Sequence, residues 1–211
     1  TTLTQLYEAT RKPLVIITPT YEDAYSLQDD LATFGMGTTD RDLLLLPDDD
    51  VSPYSGISPS RRRILSRLNT QLRLTSGDTV RAIIAPIGGL MRKTIPIEFL
   101  NNGATSVQPG MADFDLEHFR SQLVASGYAP VRVVEDPGSF TVRGGLVDVY
   151  NPFDPAPARI DLWGDTVESI RSFDPVTQQT TGDLELLHVS PIREVLFTQQ
   201  TRERARAALR Q

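Results

Sequence analysis

The sequence has no cysteine and only two histidines, His118 and His188, and each shortage excludes a class of function. Without thiols the chain cannot form a disulfide scaffold, a thiol nucleophile or a cysteine-ligated metal site. Because the two histidines lie far apart in the sequence, neither a zinc site nor a histidine-based catalytic triad is predicted. Long apolar runs are also lacking. None approaches the roughly 18 residues that a membrane-spanning helix needs, so no membrane association is expected.

Lysine is nearly absent, because only Lys12 and Lys93 accompany the arginines among 21 basic residues. Arginine suits bidentate contacts with carboxylates, so this skew is compatible with protein recognition, and a biased genome composition would produce the same skew. The net charge of -6, from 27 acidic and 21 basic residues, argues against a surface for non-specific nucleic-acid binding. The length of 211 residues and the 39% hydrophobic content fit a globular protein of one large domain or two small ones.

The first hundred residues alternate short apolar runs with amphipathic helical segments. The runs that predict strands are Pro13–Thr18, Leu43–Leu46 and Val80–Ala85, and the helical segments are Thr2–Arg11, Glu22–Phe34 and Ser60–Leu74. A short continuous apolar run is typical of a strand that is buried on both faces of a parallel sheet. Residues 1–107 are therefore predicted to form a three-layer α/β domain.

After about residue 107 the hydrophobic period shortens to two residues, which is typical of strands. The predicted strands are residues 128–134, 140–143, 146–150, 159–163, 168–173 and 184–189. One helix precedes them, Asp115–Ser126, with Asp113 as its expected N-terminal cap and Gly127 at its end. Residues 108–190 are therefore predicted to form a small α+β domain with an antiparallel sheet.

No segment combines the residues that phosphoryl or metal chemistry needs. A phosphate-binding loop requires glycines followed by Lys and Ser or Thr, and neither lysine stands in that setting. The acidic run Asp48-Asp49-Asp50 could hold a divalent cation, but consecutive side chains point in different directions and a solvated loop is the simpler interpretation. No catalytic residue, cofactor or metal site is therefore predicted in this chain.

The densest basic stretch is the predicted helix with arginines at positions 61, 62, 63, 67 and 73. One interpretation is a patch that contacts the phosphate groups of DNA. The other is an amphipathic helix that buries its apolar residues while the arginines face solvent. The second is favoured, because Tyr54 is the only nearby aromatic residue that could stack on a base.

Residues Arg159, Asp161 and Trp163 alternate along one predicted strand, so their side chains share a face. Arginine and tryptophan dominate the energetics of protein interfaces, which indicates an interaction surface. The alternative places Trp163 partly in the core and joins Arg159 to Asp161 in a local ion pair. The strand pattern by itself leaves both interpretations open.

Two longer stretches, Phe140–Tyr150 and Ala158–Pro175, carry a specific pattern. It consists of an Arg-Gly before a Leu-Val-Asp-Val strand, then an Arg-x-Asp-x-Trp strand, then Ser-x-Arg-Ser-Phe-Asp. This pattern resembles the second domain of the bacterial transcription-repair coupling factor (Mfd) and of the excision-repair protein UvrB. The resemblance extends to the first half through Pro53-Tyr54, Ser58-Pro59 and Ser66-Arg67-Leu68. The coupling factor fits better, because UvrB carries a long tyrosine-rich insertion where this chain has a short connection.

The resemblance implies a fold and a set of binding residues. It implies that the α/β part is a RecA-like domain that lacks a P-loop, and that the antiparallel part is the module that binds UvrA. In the family this contact uses residues that match Arg143, Arg159 and Trp163, with an acidic residue at Asp161. This chain departs from the family pattern at Trp163, which replaces Phe, and at Gly145, which replaces Ala. The arginine-rich segment Gln199–Arg210 is itself predicted to be a helix, and the resemblance implies that residues 191–211 begin a return to the first domain.

The function implied is a non-catalytic recruitment module of transcription-coupled nucleotide excision repair in the bacterial cytoplasm. It would bind UvrA as UvrB does and bring repair proteins to stalled RNA polymerase. The parent protein is expected to be an ATP-dependent DNA translocase, with ATP and Mg in its motor domains and RNA polymerase and DNA as further partners. The alternatives are a DNA-binding module that uses the Arg61–Arg73 helix, or a fragment of UvrB. Replacing Arg143 or Arg159 by alanine is expected to weaken UvrA binding without unfolding the domain.

Overall fold

A computed structural model describes residues 2–48, 51, 56, 60–194, 203 and 206–208. The chain divides into two compact units, residues 1–97 and residues 98–211. Both units combine helices with β-sheet, which confirms the mixed α/β class. The assignment of the first unit as RecA-like stays a prediction.

The first unit contains a small parallel sheet and helices that pack against it. Its elements in chain order are α1 (Thr2–Thr10), β1 (Leu14–Thr18), α2 (Tyr21–Thr33), β2 (Leu43–Leu45), α3 (Arg61–Ser76), β3 (Ala82–Pro86) and α4 (Ile87–Met91). The strands lie in the order β1-β3-β2, and both pairs are parallel. The predicted alternation of strands and helices is therefore confirmed for this unit.

Local sequence signals account for the ends of the two long helices of this unit. Helix α2 begins after Thr20, whose hydroxyl accepts a hydrogen bond from the Asp23 backbone N–H at 3.1 Å. Helix α3 ends at Gly77, which adopts the left-handed conformation that glycine tolerates best. The apolar residues that these helices and the sheet bury together form one core: Ala24, Leu31, Met36, Leu43, Leu45, Ala82 and Ile84.

The prediction that all three strands are buried on both faces is wrong for β1. Its residues Val15 and Ile17 are 61% and 58% exposed, whereas Leu14 and Ile16 pack against the core. Strand β1 lies at the edge of the sheet, and successive side chains of a strand point to opposite faces. A continuous apolar run therefore identified the strand correctly but not the number of faces that are covered.

The second unit contains a six-stranded sheet and a separate two-stranded pair. Its elements are α5 (Ile97–Gly103), β4 (Thr105–Val107), α6 (Leu116–Ser126), β5 (Ala129–Pro130), β6 (Ser139–Arg143), β7 (Leu146–Val149), β8 (Ala158–Trp163), β9 (Thr166–Phe173), β10 (Thr180–Asp183) and β11 (Leu187–Val189). The large sheet has the order β10-β9-β8-β7-β6-β5, and β4 pairs with β11. Every pair is antiparallel except β5 with β6.

The predictions for the start of helix α6 and for the strand after it need correction. Helix α6 is capped by Asp115 and not by Asp113, because Asp115 Oδ1 accepts a hydrogen bond from the His118 N–H at 2.8 Å. Asp113 itself has a φ of 56°, a left-handed conformation outside the helix. The strand predicted over residues 128–134 shrinks to Ala129–Pro130, because the chain leaves the ladder once Val131 has donated to the Phe140 carbonyl.

Three elements of this unit escaped the sequence analysis: α5, β4 and β10. Each is short, and β10 (Thr-Thr-Gly-Asp) has the composition of a turn. The strand predicted over residues 184–189 is limited to β11. Most of the helix predicted over Gln199–Arg210 lies outside the described residues. Among the helices that the structure describes, none is both long and apolar enough to cross a membrane.

One face of the six-stranded sheet carries much of the core of the second unit. The strand residues buried on this inner face include Phe140, Val147, Val149, Ile160, Val167 and Ile170. The other face, which we call the outer face, carries polar and charged residues of β6 to β9. This alternation of apolar and polar positions is what the period of two predicted for the sheet, although Thr141 and Asp148 on the outer face are buried.

Candidate protein-binding surface

The predicted partner-binding residues lie on the outer face of the six-stranded sheet. Arg159, Asp161 and Trp163 occupy alternate positions of β8 and therefore point to the same side. Arg143 reaches this side from the end of β6, where the turn Gly144-Gly145 joins β6 to β7. The structure thus brings all four predicted residues to one surface.

Arg143 and Arg159 meet at Asp148 of β7, a residue that the sequence analysis did not select. Asp148 lies directly opposite Arg159 in the ladder between β7 and β8. Its Oδ1 accepts a hydrogen bond from Arg159 Nε at 2.6 Å, and its Oδ2 accepts from Arg159 Nη2 and from Arg143 Nη2, each at 2.9 Å. We call these three residues the arginine cluster.

Burial differs sharply within the arginine cluster. The Asp148 side chain is fully buried, whereas the side chains of Arg143 and Arg159 are 50% and 18% exposed. A buried carboxylate without a charged partner would be strongly destabilising, so the two guanidinium groups neutralise it. One carboxylate beneath the surface therefore holds two arginines that reach the surface, and the cluster carries one surplus positive charge.

Arg159 is fixed by further contacts. Its guanidinium carbon lies 4.6 Å from the centre of the Phe173 ring, a cation–π contact. Its Nη2 also lies 3.5 Å from Gln178 Oε1, and Gln178 in turn donates to the Val134 carbonyl at 3.1 Å. The hydrogen bonds that Arg159 donates to the Asp148 carboxylate raise the pKa of Arg159, so this arginine stays charged.

Asp161 has a different set of partners from the one expected. It forms an ion pair with Arg171 of β9, and its Oδ2 accepts a hydrogen bond from Ser169 Oγ at 3.0 Å. The alternative of a local ion pair between Arg159 and Asp161 is therefore wrong, because each pairs with a residue on a neighbouring strand.

Trp163 stands at the end of β8 and is 80% exposed. The alternative that placed it partly in the core is therefore wrong. The turn that follows it is supported from the side, because the Gly110 and Phe114 N–H groups donate to the Val167 and Asp165 carbonyls, each at 2.7 Å. A large exposed indole thus projects from a hydrogen-bonded hairpin.

Two functional candidates were not predicted from the sequence, Asp148 and Arg171, and both complete ion pairs on the outer face. A signal for each was present. Asp148 is an acidic residue between Val147 and Val149, and Arg171 follows Ile170, so both occupy polar positions in strands with an alternating pattern. Their partners could not be identified, because cross-strand register is not encoded in the spacing along one strand.

The arginines of α3 contact neighbours within the first unit. Arg67 is fully buried and donates to the Pro47 carbonyl at 2.6 Å. Arg63 pairs with Asp48 at 3.0 Å, and Arg73 pairs with Asp78 at 2.9 Å. The interpretation that all these arginines face solvent is wrong for Arg67, and the contacts do not favour a patch that binds phosphate.

The acidic run that begins at Asp48 lies partly outside the described residues, which include Asp48 but neither Asp49 nor Asp50. The Asp48 carboxylate accepts a hydrogen bond from Arg63. Among the described residues, no group of three or more His, Cys, Asp or Glu side chains is arranged to hold a metal ion.

Residues 106–194 match the family model of the UvrB interaction domain. The chain is 39% identical, over 99% of its length, to the transcription-repair-coupling factor of Myxococcus xanthus. It is 31% identical over 95% of its length to that of Bacillus subtilis, and 30% identical over 92% to that of Escherichia coli. The resemblance stated from the sequence motifs is therefore confirmed.

The chain spans only part of these relatives. It covers 18% of the Myxococcus xanthus protein, 17% of the Bacillus subtilis protein and 16% of the Escherichia coli protein. The matched UvrB interaction domain contains the whole six-stranded sheet and therefore the outer face described above.

Proposed function

We propose that the outer face binds UvrA, because the chain is similar to transcription-repair-coupling factors over nearly its whole length and its residues 106–194 match the UvrB interaction domain. The observation that carries this proposal is the grouping of the exposed Trp163 with the arginine cluster on one rigid sheet face. The module would act without catalysis, by presenting to UvrA a surface similar to that of UvrB. It would thereby recruit repair proteins in transcription-coupled nucleotide excision repair.

Trp163 supplies the apolar centre of the proposed contact. An 80% exposed indole is costly in water, and its transfer into a partner's pocket is favourable. Its position beside a tight hairpin turn restricts its backbone, so little conformational freedom is lost on binding. These are the properties of an interface residue that contributes a large share of the binding free energy.

The arginine cluster supplies charge complementarity. Its two guanidinium groups face a single carboxylate, so the cluster attracts an acidic group of the partner. Among the described residues, Arg143 Nε and Nη1 and Arg159 Nη1 have no hydrogen-bond partner, and these donors remain for carboxylates of UvrA. Asp161 serves the surface indirectly in this proposal, by pairing with Arg171.

The proposal predicts that Trp163→Ala and Arg143→Ala each weaken UvrA binding while the fold is retained. Titration calorimetry of the chain with purified UvrA should give a dissociation constant in the micromolar range or tighter. Each substitution should cost roughly 1–3 kcal/mol of binding free energy, the typical loss for an interface residue of this kind. Far-ultraviolet circular dichroism of each variant checks that the fold is unchanged.

Arg120→Ala is the matched control for Arg143→Ala. The Arg120 side chain is 55% exposed, it pairs with Glu117 on α6, and it lies outside the sheet face. Its removal should leave UvrA affinity unchanged. Equal affinities for wild type, Trp163→Ala and Arg143→Ala would refute the proposal. Absence of UvrA binding together with salt-sensitive binding to duplex DNA would instead support the alternative based on the arginines of α3.

For the whole protein we propose the role that its relatives' name describes, the coupling of transcription to repair. In this proposal the parent is an ATP-dependent DNA translocase of the bacterial cytoplasm. Its motor domains use ATP and Mg, and its further partners are RNA polymerase and DNA. The present chain contributes the contact with UvrA.

A further inference from the structure

The burial of Asp148 and its contacts with two arginines are not explained by a purely structural role on the outer face. It is fully buried although it lies on the polar side of the sheet, and it accepts three hydrogen bonds from two arginines. A buried ion pair is commonly no more stabilising than apolar residues of the same volume. Its presence therefore calls for an explanation other than stability.

The geometry of these contacts indicates that Asp148 orients the two arginine side chains. Arg159 approaches Asp148 with Nε and Nη2 in parallel, the bidentate arrangement that determines the plane of a guanidinium group. Arg143 comes from the opposite side of the carboxylate, across the hairpin formed by β6 and β7. Both guanidinium groups are thus fixed relative to each other by one carboxylate in the middle strand.

We propose that Asp148 is the positioning residue of the UvrA-binding surface. It orients Arg143 and Arg159 before binding, so that their remaining N–H donors meet carboxylate groups of the partner. This inference rests on the proposed function. It goes further by assigning the specificity for a pair of acidic groups to a buried residue that does not itself contact the partner.

The test is a double-mutant cycle in UvrA affinity. Asp148→Asn preserves the shape of the side chain and removes its charge, and it should weaken UvrA binding at least tenfold. If Asp148 acts through Arg143, then Arg143→Ala should cause much less further loss in the Asp148→Asn background than in wild type. Trp163→Ala should cause its full loss in both backgrounds, because Trp163 does not contact Asp148.

This cycle separates positioning from a general structural defect. A damaged fold would reduce the contributions of Arg143 and Trp163 alike, whereas positioning couples Asp148 to Arg143 and not to Trp163. Asp29→Asn is the control for charge, because it removes an exposed carboxylate from α2 in the first unit. It should leave the affinity within about twofold of wild type, since a single surface charge outside the proposed surface is largely screened by salt.

A measurement on the unmodified chain keeps the proposal testable if Asp148→Asn does not fold. In a nitrogen–proton correlation spectrum of the free chain, the Arg159 Nε–H group should give a resolved signal that exchanges slowly with water. A rapidly exchanging, averaged signal would overturn the proposal, because Arg159 would not be oriented before binding. Equal losses for Arg143→Ala in both backgrounds, or wild-type affinity of Asp148→Asn, would also overturn it.

These outcomes are distinct from failure of the proposed function. If neither Trp163→Ala nor Arg143→Ala weakens UvrA binding, the surface itself is wrongly assigned. If both weaken binding but the cycle is additive, the surface stands and only the positioning role of Asp148 falls.

Discussion

At the residue scale, Arg159 belongs to the proposed binding surface and is also the main hydrogen-bond donor to the buried Asp148. A substitution of Arg159 would therefore have two effects. Its guanidinium group supplies two of the three hydrogen bonds that the buried Asp148 carboxylate accepts. The expectation from the sequence, that Arg159→Ala weakens binding without affecting the fold, overlooked this carboxylate. Loss of binding in that variant would mix a missing contact with a destabilised sheet. Arg143 and Trp163 are better probes of the surface itself.

We predict that Arg159→Ala lowers the free energy of unfolding by roughly 3 kcal/mol, because Asp148 keeps only its single hydrogen bond to Arg143. Urea denaturation followed by circular dichroism measures this loss. The control Arg120→Ala, which removes an exposed arginine from α6, should change the stability by no more than about 0.5 kcal/mol. An Arg159→Ala variant as stable as wild type would contradict the destabilisation inferred here.

At the scale of the elements, the β6–β7 hairpin aligns the arginine cluster and depends on close backbone contact. Gly145 stands where a Cβ atom would come within 2.8 Å of the Leu162 carbonyl oxygen. The Gly145 carbonyl also accepts a hydrogen bond from the Leu162 N–H at 2.7 Å. Gly145 was noted in the sequence only as a departure from the alanine of the family pattern. The structure shows why glycine suits this chain.

Gly145→Ala is therefore expected to destabilise the second unit by roughly 1–3 kcal/mol, because backbone must shift to accommodate the added methyl group. Since that shift moves Arg143, UvrA affinity should fall as well. Urea denaturation and calorimetry measure the two effects. Gly182→Ala is the comparison, because a Cβ atom there would meet only Ser172 Oγ at an ordinary 3.5 Å. Similar stability losses for the two variants would contradict the explanation from close contact.

At the scale of the whole molecule, the charge of the surface differs from the charge of the chain. The net charge is -6, which by itself would repel an acidic partner. On the outer face, however, Arg143 and Arg159 share the single carboxylate of Asp148, so this part of the surface is locally positive. Local complementarity of this kind determines which partner binds and in which orientation.

Because the second unit contains the surface and its own buried core, residues 98–194 are expected to fold alone. This fragment should unfold cooperatively in urea and bind UvrA within about twofold of the affinity of the whole chain, since the proposed surface lies within this unit. Circular dichroism and calorimetry check both points. An unfolded fragment, or a folded one that does not bind while the whole chain does, would contradict this prediction.

The sequence by itself predicted whether most elements are helices or strands. It also predicted the common face of Arg159, Asp161 and Trp163 and the relationship to the coupling factors. These features depend on local periodicity and on motifs, which can be read along one chain. The tertiary structure alone decided that Asp148 joins Arg143 to Arg159, that Arg171 pairs with Asp161, and that one side of β1 is exposed. The physical reason is that such contacts arise from strand register, turn geometry and the order of strands in a sheet. They bring together residues whose spacing in the sequence carries no sign of their contact.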